Sequence, residues 1–374
     1  MSELEQGSHG GGGRHRPERR RGRVRGCLPV LVALVILVGG GYLVFTYGAQ
    51  AIKNHLSSPD DYSGNGTGTV LVEVKSGATA SDIASTLKAK DVIKSAGAFT
   101  DAARNDPKST GIQFGFYQLK RHMSASAALV VLEDPHNLVQ TLVTIPEGFT
   151  VSQIVARLVA HTNFSTAQFK AVLAKPSSIG LPAYAKGSEE GFLFPATYPF
   201  PPNATPTTML ATMVSRFKQS ATGADLAGRA STLGHSEYDL VIVASLIQAE
   251  ARNAPDFGKV SRVIYNRLEQ GMPLQFDSTI HYLLKKKGIL STTIDQTHID
   301  SPYNTYRNKG LPPTPIMAPG DQAIRAALTP APGNWLYFVT TNPRTGKTKF
   351  TASYSTFLQY KAEYTQYCQT SDVC

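Results

Sequence analysis

Cysteine is scarce: Cys27, Cys368 and Cys374 are the only three in 374 residues. None has the spacing of a metal site. Cys368 and Cys374 are close enough in sequence for one short terminal disulfide in an oxidising compartment, and the residues alone leave that pairing open. No internal repeat stands out, which sets solenoids aside. Strands and helices do not alternate in the βαβ manner, which argues for α+β rather than a doubly wound parallel sheet. Basic charge is also thin over most of the chain. The formal net charge is +10, but seven arginines crowd between Arg14 and Arg25. The remainder is only mildly basic, so no nucleic-acid footprint is present and no nucleic-acid partner is expected.

Apolar residues make up 41% of the chain, enough for a sizeable core. Residues 28–47 (LPVLVALVILVGGGYLVFTY) form a run of twenty without a charge. A helix of that length crosses a hydrocarbon core of roughly 30 Å. The run is longer than a signal-peptide h-region and no A-x-A cleavage site follows. The preceding arginines place the N-terminus in the cytoplasm by the positive-inside rule. The expectation is a single-pass protein of the cell membrane with everything after residue 47 outside. Cys27, at the edge of this run, is a bystander or an acylation site.

The organisation expected is a basic, disordered cytoplasmic tail (1–27), a transmembrane helix (28–47), a Ser/Gly/Asp linker (48–68), a small α+β module (69–136) and a larger α+β domain (137–374). In the module, VLVEV (70–74) alternates as a strand. SDIASTLKAKDVI (81–93) reads as a helix capped by Ser81, a second helix covers 95–104, a strand 114–119 and a helix 124–134. In the larger domain a strand is expected over 138–145, with helices near 150–160, 166–174, 206–222, 237–252, 258–270 and 321–328. A strand at 335–340, a turn at 342–346 and a closing strand and helix follow.

The segment 235–253 (HSEYDLVIVASLIQAEARN) carries the most chemistry. Ser236 and Asp239 make a capping box. Residues 240–247 are apolar nearly all round, so this helix is buried. Glu250 continues the stripe of Val243, Leu246 and Ile247. A carboxyl there faces a cleft with a raised pKa, as a general acid needs, or it pairs with Arg252 or Arg267. Asn266 and Arg267, on the next helix, orient a neighbouring carboxylate or cover the surface. Gln275, Asp277 and Thr279 fall together in a loop and helix start, where Asp277 is a helix N-cap, a sugar-site residue or both. Glu190 in EEGFLFPATYPFPP (189–202) and Tyr303 and Asn304 in YNTYRNKGLPPTPIMAPG (303–320) lie in aromatic, proline-rich loops that suit carbohydrate binding or ordinary loop packing.

Taken in order, EGFLFPATY (190–198), ASLIQAEA (244–251), VSRVIYNRLEQGMPLQFDST (260–279), SPYNTY (301–306), GLPPTPIMAPG (310–320) and NWLYFVT (334–340) resemble the endolytic murein transglycosylase (YceG-like) family. Residues 74–95 resemble the LysM-like module that precedes its catalytic part. The resemblance implies a lyase that cuts the MurNAc–GlcNAc bond within nascent peptidoglycan strands. It needs no cofactor or metal, and peptidoglycan synthases are its natural neighbours. Glu250 would protonate the leaving oxygen and then deprotonate the MurNAc C6 hydroxyl, leaving a 1,6-anhydro end. Ordinary glycosidases instead set two carboxylates around the bond. Glu190, Gln275, Asp277, Thr279, Tyr303 and Asn304 would line the glycan cleft. Two departures stand out. Gln248 occupies the first of two positions, one residue apart, where the family pattern has glutamates. Phe357 lies near the place of a histidine often found in the C-terminal segment. A water-using peptidoglycan hydrolase and a non-catalytic wall-binding scaffold remain as alternatives.

Overall fold

The computed structural model describes residues 38–45, 47, 59–285 and 292–372. The basic tail, most of the apolar run, the start of the linker, Cys27 and Cys374 lie outside them. Among the described residues no helix is long and apolar enough to cross a membrane. Cys368 is disulfide-bonded. The fold is α+β, and the described residues divide into two compact units that alternate along the sequence: one holds 59–68, 79–110 and 120–130, the other 69–78, 111–119 and the described residues from 131 onward.

Two strands, β1 (Asn65–Val74) and β2 (Gly115–Met123), pair as a two-stranded sheet. In the smaller unit, α1 (Ala80–Ala89) is capped by Thr79, not by Ser81. The Thr79 hydroxyl accepts the Asp82 N–H and the Asp82 carboxylate accepts the Thr79 N–H. Asp82 sits three residues after Thr79, which completes a capping box that Ser81 could not form. Helix α1 ends short of the expected residue 93 because Asp91 turns into the left-handed region at φ 59°, which a helix cannot continue through. Ser95 caps α2 (Ala96–Asn105), and α3 (Ala125–Glu133) begins where both Asp61 carboxylate oxygens accept the Ala125 N–H.

In the larger unit, β3 (Thr141–Thr144) runs antiparallel to β4 (Thr197–Phe200), with Thr141 opposite Phe200 and Thr144 opposite Thr197. Strand β3 is shorter than the sequence suggested, because residues 135–137 form a 3-10 turn and Leu138 bridges to Tyr117 instead. The helices α4 (Val151–His161), α5 (Thr166–Leu173) and α6 (Pro206–Gly223) pack with this strand pair around a core of Val143, Ile154, Leu158, Phe169, Leu210 and Met213. A short helix that the sequence did not suggest, α7 (Leu226–Leu233), starts after Asp225 at φ 57° and stops at Gly234.

The second core is built around α8 (Glu237–Glu250). Every residue from Leu240 to Ile247 is buried, as an all-round apolar helix requires. The Ser236–Asp239 capping box closes its N-terminus. Helices α9 (Phe257–Glu269) and α12 (Asp321–Leu328) pack on it, while the short α10 (Asp277–Leu283) and α11 (Ile294–Thr297) lie between them in sequence. The chain closes with an antiparallel hairpin, β5 (Tyr337–Asn342) and β6 (Lys347–Thr351), followed by α13 (Tyr354–Thr370), which lies on β5.

The loop that carries Glu190 is locked onto α8 by one glycine. Gly191 adopts φ +87°, and a Cβ there would meet Pro315 Cβ at 2.6 Å and Val241 Cγ1 at 3.2 Å. Both the backbone conformation and the space exclude a larger residue. Gly191→Ala should therefore destabilise the protein by roughly 1–3 kcal/mol, read as a lower urea midpoint. An unchanged midpoint would mean that the loop can lift off Pro315.

Candidate active site

The site is assembled at the C-terminal end of α8. Glu250 is its last residue, and Ala251 turns extended immediately after it. The Ser278 hydroxyl, in the first turn of α10, donates to Glu250 Oε1 at 2.6 Å. Beside it, Asp277 Oδ1 accepts the Tyr306 hydroxyl at 2.6 Å. Asp277 is the first residue of α10 and not its cap; Phe276 holds that position without a side-chain bond.

Glu250 is half-buried, and loss of hydration is still the largest influence on its carboxyl. Desolvation pushes its pKa up to about 7, and the Asp277 charge adds to the rise. The Ser278 hydroxyl and backbone N–H act the other way, as does the more distant Arg267 charge. Such a carboxyl holds a proton near neutral pH and can also release it.

Arg267 does not take Glu250 as a hydrogen-bonded partner. Its Nε donates to the Leu336 carbonyl at 2.6 Å and its Nη1 to the Leu274 carbonyl at 2.6 Å. Asn266 donates to the carbonyls of Gly333 and Trp335. Both residues brace backbone, so their orienting role acts on the loops around the acid. Gln248 points elsewhere, as two residues on a 3.6-residue helix must. Its Oε1 accepts the Gly320 N–H at 3.0 Å, at the start of α12.

A second carboxyl also meets α10. Glu190 Oε1 accepts the Val151 N–H at 3.0 Å, and Oε2 accepts the Tyr282 hydroxyl at 3.3 Å. Burial pushes its pKa up to about 7 as well. Tyr282 packs on Tyr303 with ring centroids 5.3 Å apart, and the Tyr303 hydroxyl bonds Thr314 at 2.9 Å. Ser278 and Tyr282 are four residues apart and so share one face of α10. That face meets both acids.

A comparison with protein-family models matches residues 72–363 to the YceG-like family. The chain belongs to that family. It is 35% identical over 288 residues to the endolytic murein transglycosylase of Bacillus subtilis (strain 168), an alignment covering 72% of this chain and 78% of that one. It is 29% identical over 338 residues to the protein of that name from Streptococcus pneumoniae serotype 2, covering 83% of this chain and 60% of the relative. Its fold is similar to the 2.6 Å crystal structure of a yceG-like protein from Listeria monocytogenes, with a TM-score of 0.53, 28% identity, and coverage of 78% of this chain and 99% of that one.

Within this YceG-like chain the residues singled out from sequence separate into two groups. Glu250, Asp277, Glu190 and Tyr303 converge on α10. Thr279 and Asn304 do not line an open cleft. Both are fully buried, Thr279 donating to the Phe276 carbonyl and Asn304 to the carbonyls of Thr297 and Ile299. Gln275 is exposed in the left-handed region at φ 54°, with its N–H on the Thr305 carbonyl. Ser278 and Tyr282 were missed, although each lies in or just after a resembling motif. Among the described residues no group of three or more His, Cys, Asp or Glu could hold a metal ion.

The raised Glu250 value has a thermodynamic consequence. A carboxyl whose folded pKa lies above its ordinary 4.5 contributes stability while protonated, and loses it as pH rises through about 7. Glu250→Gln cannot ionise. It should match the parent near pH 4.5 and exceed its stability at pH 8 by about 1–3 kcal/mol, as urea denaturation would show. Equal stability at pH 8 would mean that the carboxylate is well solvated.

Proposed function

We propose that the chain is an endolytic murein transglycosylase that cuts the MurNAc–GlcNAc bond of peptidoglycan strands with Glu250 as its single acid/base. The observation that carries the reading is the Glu250 carboxyl: desolvated to a pKa of about 7, held by Ser278, and set in a YceG-like chain whose relatives bear that name. Protonated Glu250 donates to the glycosidic oxygen as the bond to C1 breaks, and positive charge builds on the MurNAc ring. The resulting carboxylate then removes the proton of the C6 hydroxyl, whose oxygen closes on C1. The proton returns to Glu250 and the product is a 1,6-anhydro end, so no water is consumed.

A hydrolase would need a second carboxylate free to activate water. The two carboxylates that could serve, Asp277 and Glu190, each take part in hydrogen bonds of the fold. Asp277 accepts the Tyr306 hydroxyl, and both oxygens of Glu190 are bonded. This supports intramolecular attack over water. The Gln248 departure is also explained if position 250 carries the chemistry, since an amide serves the Gly320 N–H as well as a carboxylate would.

An envelope location suits the family. We further read residues 28–47 as the membrane anchor with the catalytic domain (137–374) outside the cell, the LysM-like module (69–136) gripping glycan, and synthases as neighbours. The disulfide-bonded Cys368 suits an oxidising, extracytoplasmic compartment.

Digestion of purified glycan strands, followed by mass spectrometry, tests the reaction. The parent should yield ends one water lighter than hydrolytic products, and Glu250→Gln should lose at least about a hundredfold in rate. Reducing ends would establish the hydrolase, and full function in Glu250→Gln the scaffold. Ser278→Ala removes a bond that lowers the Glu250 pKa. Its alkaline limb of kcat should therefore move to higher pH; an unmoved limb would detach Ser278 from the acid.

A further inference from the structure

The C-terminal helix α13 is poorly covered for so aromatic a segment. Tyr354, Phe357, Tyr360, Tyr364 and Tyr367 recur at helical spacing along it, yet none of its seventeen residues is buried. At its N-terminal end three rings cluster together. Tyr354 and Phe357 lie 5.8 Å apart at 29°, and Tyr337 of β5 meets Phe357 at 5.2 Å and Tyr354 at 5.6 Å. Tyr354 is 58% exposed, so the cluster keeps an open face. One buried residue packs beneath the cluster. The Arg267 guanidinium sits 5.2 Å over the Tyr337 ring and donates to the adjoining Leu336 carbonyl, and its charge also reaches Glu250.

We propose that Tyr337, Tyr354 and Phe357 form a glycan subsite outside the catalytic centre, on which a pyranose ring of the same strand stacks. The inference rests on the proposed function. A strand cut internally extends past the acid on both sides, and Arg267, which lies over Tyr337, also holds the Pro273 and Leu274 carbonyls of the loop leading into α10, so one residue braces both the platform and the loop that presents Ser278. The chemistry fits: the axial C–H face of a pyranose is apolar and weakly positive, matching the negative face of an aromatic ring. The two tyrosine hydroxyls supply donors and acceptors for its hydroxyl rim. A buried aromatic cluster would serve packing alone; this one keeps a wet face.

The test measures binding, so that it does not depend on turnover. The full chain carrying Glu250→Gln, with and without Tyr354→Ala or Tyr354→Trp, is titrated calorimetrically with long glycan strands and with a murein tetrasaccharide. Tyr354→Ala should weaken long-strand binding about three- to tenfold, leave the tetrasaccharide unaffected, and be rescued by Tyr354→Trp. Unaltered long-strand affinity, or an equal loss at both lengths, overturns the platform. Cleavage by the unmutated chain is assayed alongside. Absent cleavage with the length-dependent loss retained keeps the platform and removes the enzyme. Cleavage with unaltered long-strand binding does the reverse, and a chain that neither cleaves nor binds long strands overturns both.

Discussion

The structure depends on keeping one carboxyl partly out of water at the end of an apolar helix. Hydration is what ordinarily makes a glutamate a weak proton donor at neutral pH, and its partial removal is the largest influence on Glu250. That removal requires a helix which cannot shift or fray. Helix α8 meets the requirement by being buried on all sides up to Ile247, so its last turn emerges from the core at a fixed place. The two helices packed on it, α9 and α12, therefore serve the site without contributing the acid itself.

Around that carboxyl the polar groups hold backbone more often than they face a ligand. Arg267 and Asn266 join carbonyls from the 273–274 and 333–336 segments. Gln248 holds the start of α12, where Glu147 lies so close that a Cβ on Gly320 would fall 1.9 Å from its Oε1. Loops rich in proline and glycine have few internal hydrogen bonds of their own, and the buried polar side chains supply the missing partners. The result is a rim of irregular chain braced by buried polar side chains.

Much of this was legible in the sequence where periodicity or capping spoke clearly. Ser236 and Asp239 marked the start of α8, the apolar run gave its burial, and residues 321–328 were read as the helix that α12 is. The stripe alone left Glu250 open between a cleft acid and an ion pair, and it was the family resemblance that singled it out. The misses have physical causes. Thr279 and Asn304 were assigned to the glycan cleft by the resemblance, because sequence does not display burial, and their bonds to carbonyls of Phe276, Thr297 and Ile299 appear only in the fold. Thr79 outcompeted Ser81 as a cap because only it has an acid three residues on. Helix α7 is only eight residues long and has a glycine inside it, so its brief apolar period at Leu226, Ala230 and Leu233 was passed over. Ser278 was passed over between two residues that were singled out, since a hydroxyl becomes informative only when its partner is known.

The sharing of α10 by the two acids bears on how this protein can vary. Ser278 reaches Glu250 and Tyr282 reaches Glu190 from one face of a seven-residue helix. A single residue inserted or deleted between them would turn one side chain by about 100° relative to the other. Insertions and deletions in natural or laboratory variants should thus be purged between 278 and 282, in a segment too short and too polar to look like core. A gene library built by random indels would reveal α10 as a ruler whose length, more than its composition, is under selection.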